Sequence, residues 1–83
     1  MTDTEIQKKL LAVKSKFLRF EVRRTEPDPF FIIVTNRHGH QLAQIEYSMA
    51  WQQFVLCPYQ TTIWSTGCLN DAIAAMGILE KLG

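Results

Sequence analysis

His38 and His40 stand one residue apart in the run Asn36-Arg37-His38-Gly39-His40. With Cys57 or Cys68 they would make up a tetrahedral zinc set. Structural zinc sites carry two closely spaced ligand pairs, and this chain offers one. The histidines therefore read as solvated turn residues, and no metal is assigned. Cys68 falls at the head of a predicted helix, where the helix dipole lowers a thiol's pKa and raises its reactivity. A nucleophile also needs a base beside it, and neither histidine lies near Cys68 in sequence. Cys68 thus reads as a small apolar residue facing a sheet. The four glycines, at 39, 67, 77 and 83, are too scattered for a phosphate-cradling loop. Gly-x-Ser-x-Gly, His-Glu-x-x-His and a close carboxylate pair are all missing. A domain this small also leaves little room for a pocket of the usual ~300 Å³ or more. The expectation is a non-enzyme with no catalytic residue and no cofactor.

Charge and aromaticity say more. Residues 8–24 contain seven basic side chains (Lys8, Lys9, Lys14, Lys16, Arg19, Arg23 and Arg24) against one acid, Glu21. Such a run is either a solvated face or a surface for phosphates. Nine aromatic residues (Phe17, Phe20, Phe30, Phe31, Tyr47, Trp51, Phe54, Tyr59 and Trp64) exceed what one face of a small sheet can bury. Part of this surface is expected to stay exposed on an open sheet face, where Trp, Tyr and Arg serve as binding hot spots. Trp51 and Phe54, rimmed by Arg19 and Arg23, are the expected partner-binding residues.

These residues need elements to hold them. Thr2 and Glu5 have capping-box spacing, and Ile6, Leu10, Val13 and Phe17 recur at helical intervals, which predicts a helix over about 3–15. Leu18, Phe20 and Val22 alternate with Arg19, Glu21 and Arg23 as in a half-buried strand. Two prolines, at 27 and 29, then force a turn. A strand over 30–35 is apolar on both sides and suits a position covered on both faces. Asn36 to Gly39 supplies turn residues, and strands follow over 42–47, 51–57 and, briefly, 61–65. Ser65 or Thr66 caps a closing helix whose stripe is Leu69, Ala72, Ile73, Met76 and Leu79, with Asp71 in an early turn. The expected fold is α+β: an antiparallel meander of four to five strands with an N-terminal and a C-terminal helix on one face, in the order α-β-β-β-β-β-α.

The chain has 83 residues, 47% hydrophobic and 20% charged, with formal charge +1, so one globular domain over 1–83 is expected. Near-neutrality argues against an acidic nucleic-acid mimic and against a strongly cationic coat. Neither a signal peptide nor a bilayer-spanning run is apparent, which places the protein in the cytoplasm, away from membranes, with Cys57 and Cys68 as reduced thiols. A 57–68 disulfide is the alternative.

Trp51-Gln52-Gln53-Phe54-Val55-Leu56-Cys57-Pro58, then Thr61-Thr62-Ile63-Trp64-Ser65, then Gly67-Cys68-Leu69-Asn70-Asp71-Ala72-Ile73 resemble small uncharacterised proteins of bacteriophages and prophages. In those, a β-meander precedes a Cys-Leu C-terminal helix, and the likeness spans roughly residues 40–82. The motif is structural, so no site residue carries over, and the basic N-terminal helix lies outside it. The resemblance implies a phage or prophage origin and action in the host cytoplasm by docking on a host protein complex and inhibiting it. Anti-defence inhibition of the anti-CRISPR kind is the concrete version. The alternative is a small nucleic-acid-binding regulator using Lys8, Lys9, Lys14, Lys16, Arg19, Arg23 and Arg24. A homodimer is left open by both readings. The element order also resembles the double-stranded-RNA-binding domain, but the closing helix carries only Lys81 where that family has a basic cluster, and that likeness is set aside.

Overall fold

A computed structural model describes residues 2–24, 30–59 and 62–82. The elements are α1 (Asp3–Leu10), β1 (Leu18–Arg23), β2 (Phe31–Asn36), β3 (Gln41–Ser48), β4 (Gln53–Pro58) and α2 (Thr66–Glu80). The four strands form one antiparallel sheet in the order β1-β2-β3-β4. Both helices pack on the same face of it, which confirms the α+β class. None is long and apolar enough to cross a membrane among the described residues.

The helix caps follow from sequence. Thr2 Oγ1 accepts the Glu5 backbone N–H at 3.2 Å and donates to Glu5 Oε1 at 3.3 Å. Ser65, not Thr66, caps α2 by accepting the Cys68 N–H at 3.1 Å. Helix α1 is shorter than its apolar stripe predicts. Ala12 and Val13 bond back to Lys9 and Leu10 in tighter i→i−3 turns, which end the helix. Ser15 Oγ then accepts the N–H groups of Phe17 and Leu18 and donates to Asp71 Oδ2 at 2.7 Å. One hydroxyl thus turns the chain into β1 and ties the loop to α2. Phe17 leaves the helical stripe and is 48% exposed.

Register decides the rest. Phe20, Val34, Ala43 and Pro58 align across the sheet, as do Val22, Ile32, Ile45 and Leu56. These rows face the helices, and the core comprises Ile6, Leu10, Leu18, Phe20, Ile32, Val34, Ala43, Ile45, Ala75 and Leu79. Each fully buried Leu or Ile contributes about 1.5–3 kcal/mol. A bulge between Val34 and Thr35 shifts the β2–β3 pairing, so that Thr35 meets Gln41. The following turn closes on Asn36, whose Oδ1 accepts from the His38 and His40 N–H groups while Gly39 sits at φ +87°.

Four expectations fail. The fifth strand is absent: residues 62–65 are irregular, and residue 61 lies outside the described residues. Thr62 bonds back to Tyr59 O through both its N–H and its hydroxyl, a local turn with no strand partner. The fourth strand begins at Gln53, because the β3–β4 connection, with Gln52 at φ 53°, takes up Trp51. Strand β2 is covered by helices on one face only; Ile33 on the other is 7% exposed, flanked in register by Glu21 and Gln44. The buried face of α2 is Ala72, Ala75 and Leu79, while Leu69 and Ile73 stay exposed. Residues 72–79 are apolar or glycine throughout, so periodicity alone does not select a face. The small Ala72 and Ala75 let the helix axis approach the sheet.

Candidate docking surface and the sheet edges

The two edges of the sheet present backbone groups that an extended chain from another molecule could pair with. Every second residue of an edge strand turns its N–H and C=O outward. On β1 these are Leu18, Phe20 and Val22. Gln7 of α1 lies against them: its Nε2 donates to Phe20 O at 2.7 Å and its Oε1 accepts the Val22 N–H at 2.8 Å. A carboxamide has the donor and acceptor of a peptide unit, so Gln7 occupies the place of a neighbouring strand. Leu18 N–H goes to Ser15 Oγ and Leu18 O accepts from Arg19 Nη1 at 3.1 Å. On β4 the outward residues are Phe54, Leu56 and Pro58. Glu80 Oε1 accepts the Phe54 N–H at 2.7 Å, and Pro58 has no N–H to offer. Leu56 is therefore flanked by two positions that cannot donate to an incoming strand.

Apolar side chains gather at one end of the sheet, where α1 begins, α2 ends and the β3–β4 turn lies. Phe30, Tyr47 and Phe54 form a row on the helix side: Phe30 and Phe54 ring centroids are 6.0 Å apart, and Tyr47 meets Phe54 edge-on at 5.4 Å. The helices do not close over this row. Tyr47 is 43% exposed, and the adjoining turn carries Met49 at 80% and Trp51 at 72%. Arg24 lies 5.8 Å from the Phe30 centroid and is held there by Asp3, with Nη2 to Oδ1 at 2.6 Å. That guanidinium keeps the Asp3 carboxyl below its ordinary pKa, through the hydrogen bond first and its charge second.

Of the expected partner-binding set, the structure brings Trp51 and Phe54 to this end. Trp51 is exposed in the turn, and Phe54 is half-buried at the centre of the row. It does not bring Arg19 and Arg23 with them. Both lie on the opposite edge strand and leave it on the face away from the helices, Arg19 curling back round the edge to Leu18 O and Arg23 pairing with Glu21 at 3.1 Å. That open face carries Arg19, Glu21, Arg23, Gln44, Glu46 and Cys57 around Phe31, Ile33 and Val55, so the expected aromatic sheet face is instead a mixed polar one. Exposed Tyr47 and Trp51 sit at the sheet's end, which the helices do not cover. Phe30, Tyr47 and Arg24 were missed. Tyr47 alternates with Ile45, a signal for the helix-facing side, but only register shows that the three converge. Trp64, the second tryptophan, packs on the core with its indole N–H donating to Thr62 Oγ1 at 3.0 Å.

The remaining chemical candidates are kept apart. The His38 and His40 ring centroids are 6.4 Å apart on the turn, with Asn36 Nδ2 beside His40. Among the described residues no three His, Cys, Asp or Glu side chains gather as a metal set. Both thiols are free and lie on opposite faces of β4, Cys68 against the core and Cys57 on the open face. Burial, followed by the Glu46 carboxylate that accepts from Cys57 Sγ at 3.3 Å, raises the Cys57 pKa and so opposes thiolate formation. Hollows larger than expected for so small a domain do occur, of about 430, 320 and 270 Å³, all of them open grooves. Compared with known protein families, curated proteins and solved structures, the chain shows no match.

Proposed function

We propose that this chain is a small non-enzymatic binding protein that docks on another protein through the aromatic end of its sheet. The observation that carries the reading is the exposure of Tyr47, Met49 and Trp51 around the half-buried Phe54. Rigid aromatics beside a packed row lose little conformational entropy on contact, and Trp and Tyr are the residues most often found at hot spots. The closed sheet edges favour docking by side chains over strand pairing. Arg24, replacing the expected Arg19 and Arg23, supplies the polar rim. In the fuller version, the phage or prophage origin implied by the resemblance makes the partner a host protein complex in the cytoplasm and the outcome its inhibition, of the anti-defence kind.

The test is affinity capture from a nuclease-treated bacterial lysate, washed at low and high salt, with the wild-type chain and Trp51→Ala in parallel. A discrete protein retained at high salt by the wild type and lost from the folded variant supports the reading. Equal capture by both sinks the proposed surface. Because Trp64 is half-buried and hydrogen-bonded, Trp64→Phe isolates the Trp51 fluorescence, which should shift to the blue when the partner is added.

A further inference from the structure

The basic run is divided by the fold into cations that are neutralised and cations that are not. Arg23 is paired with Glu21 and Arg24 with Asp3. Lys8, Lys14 and Arg19 have no acidic partner within ion-pair distance among the described residues and line two hollows along the α1–β1 edge. The first, about 430 Å³, includes Lys8, Leu11 and Val22, and also Asp3, whose carboxylate is engaged by Arg24. The second, about 270 Å³, includes Leu11, Lys14, Leu18 and Arg19 and no acidic side chain. Leu11 is a wall of both, so the two hollows adjoin along this edge. Strand β1 spans about 20 Å at ~3.3 Å per residue, room for roughly three nucleotides of backbone. At the head of this edge, just before β1, Phe17 is 48% exposed, with Lys16 Nζ 5.8 Å from its ring centroid.

We infer that the α1–β1 edge binds single-stranded nucleic acid, with Lys8, Lys14 and Arg19 on successive phosphates and Phe17 stacking an unpaired base. Three features select this occupant. The cations line adjoining hollows on one edge and none of them is ion-paired, the one carboxylate there, Asp3, being held by Arg24, which suits a polyanion. Three of the edge peptide groups, Leu18 N–H, Phe20 C=O and Val22 N–H, are already engaged by Ser15 and Gln7, which disfavours an extended peptide. An exposed ring among cations is the stacking-plus-phosphate arrangement of single-strand binders, and a paired base has no free face for it. This surface meets the aromatic end only at Asp3 and stands without it.

The experiment is fluorescence anisotropy with labelled 12-nucleotide oligo(dT) and oligo(U), and a 12-base-pair duplex, titrated with the full chain at several salt concentrations. Three phosphate contacts predict a slope of log K against log salt near −2, at about 0.7 per phosphate. Lys14→Glu/Arg19→Glu should weaken binding at least about tenfold and reduce the slope to roughly −0.7. Phe17→Ala should cost about fivefold or more with the slope unchanged. Lys9→Glu/Lys81→Glu makes the same change in net charge away from the two hollows and should bind nearly as the wild type does. Circular dichroism and the thermal transition check that each variant folds. Preference between the two oligonucleotides tells RNA from DNA and leaves the site intact. Absence of binding at about 20 mM salt, a duplex bound as tightly as a single strand, no effect of Phe17→Ala, or equal losses in the two charge-matched pairs would each overturn the inference.

Discussion

The two edges of the sheet reach the same end by different chemistry. Strand β1 is closed by a side chain that imitates a strand: Gln7 takes one carbonyl and one N–H with a single amide. Strand β4 is closed by removal, with a proline where one donor would stand and the Glu80 carboxylate on the Phe54 N–H, either side of Leu56. Mimicry ties α1 to the sheet, so the edge and the helix stand or fall together. Removal leaves β4 less dependent on α2, since only one hydrogen bond is at stake. The difference also sorts function. Closing β1 with a neutral amide leaves Arg19 and the exposed lysines of α1 and the loop after it free of the edge, while the β4 side shows apolar groups, among them Trp51 and Ile73.

If mimicry is the stronger device, its removal should have the largest effect. Gln7→Leu strands Phe20 C=O and Val22 N–H and should cost about 2–3 kcal/mol in urea unfolding. Sedimentation should then show association of the variant through the opened edge. A variant that stays monomeric and as stable as the wild type would break the comparison. Ser15→Ala, which releases Leu18 N–H and the link to Asp71, should cost about 1–1.5 kcal/mol by the same measurement. At the other edge, Glu80→Ala should cost only about 0.5–1 kcal/mol, because the Phe54 N–H can then bond to water. Amide hydrogen exchange at Phe54 should quicken in that variant, with no change at Val22. A loss larger than that from Gln7→Leu would reverse the ranking.

The smallest effect concerns the ion pair at the aromatic end. Asp3 has its pKa lowered in the fold by the Arg24 hydrogen bond. Its contribution is therefore present above the unfolded value and fades as the pH falls through the lower folded one. Asp3→Asn should be slightly less stable than the wild type at neutral pH, and the two should converge in acid. Being an exposed pair, it should weaken with salt. A difference that persisted below the carboxylate range would assign the effect to helix capping instead.

Much of the fold was legible in residues that act locally. Thr2 and Ser65 found their caps, Asn36-Arg37-His38-Gly39 its turn, and the Leu18–Arg23 alternation became β1 as read, while the turn expected at the prolines lies outside the described residues. Errors arose where local signals were weak or competed. In residues 62–65 the composition suited a strand, but a strand also needs a neighbour to pair with. Helix α2 is apolar nearly all round, so its buried face was settled by the small size of Ala72 and Ala75. The candidate site was half legible. Trp51 and Phe54 stood out by type, whereas Arg19 and Arg23 fell away because neighbours in sequence alternate between faces and sit an entire sheet's width from β4.

By itself the sequence determined what depends on one to four neighbouring residues: caps, turns, the alternation of β1 and the α+β class. Only the tertiary structure decided the pairing of Gln7 with β1, Ser15 with Asp71, and Phe30 with Tyr47 and Phe54. It also decided which cations are neutralised and which line a groove. Those contacts join residues far apart in the chain, and they depend on strand register and on the point where each helix stops. A one-residue slip in register would turn the same strand side chains to the other face.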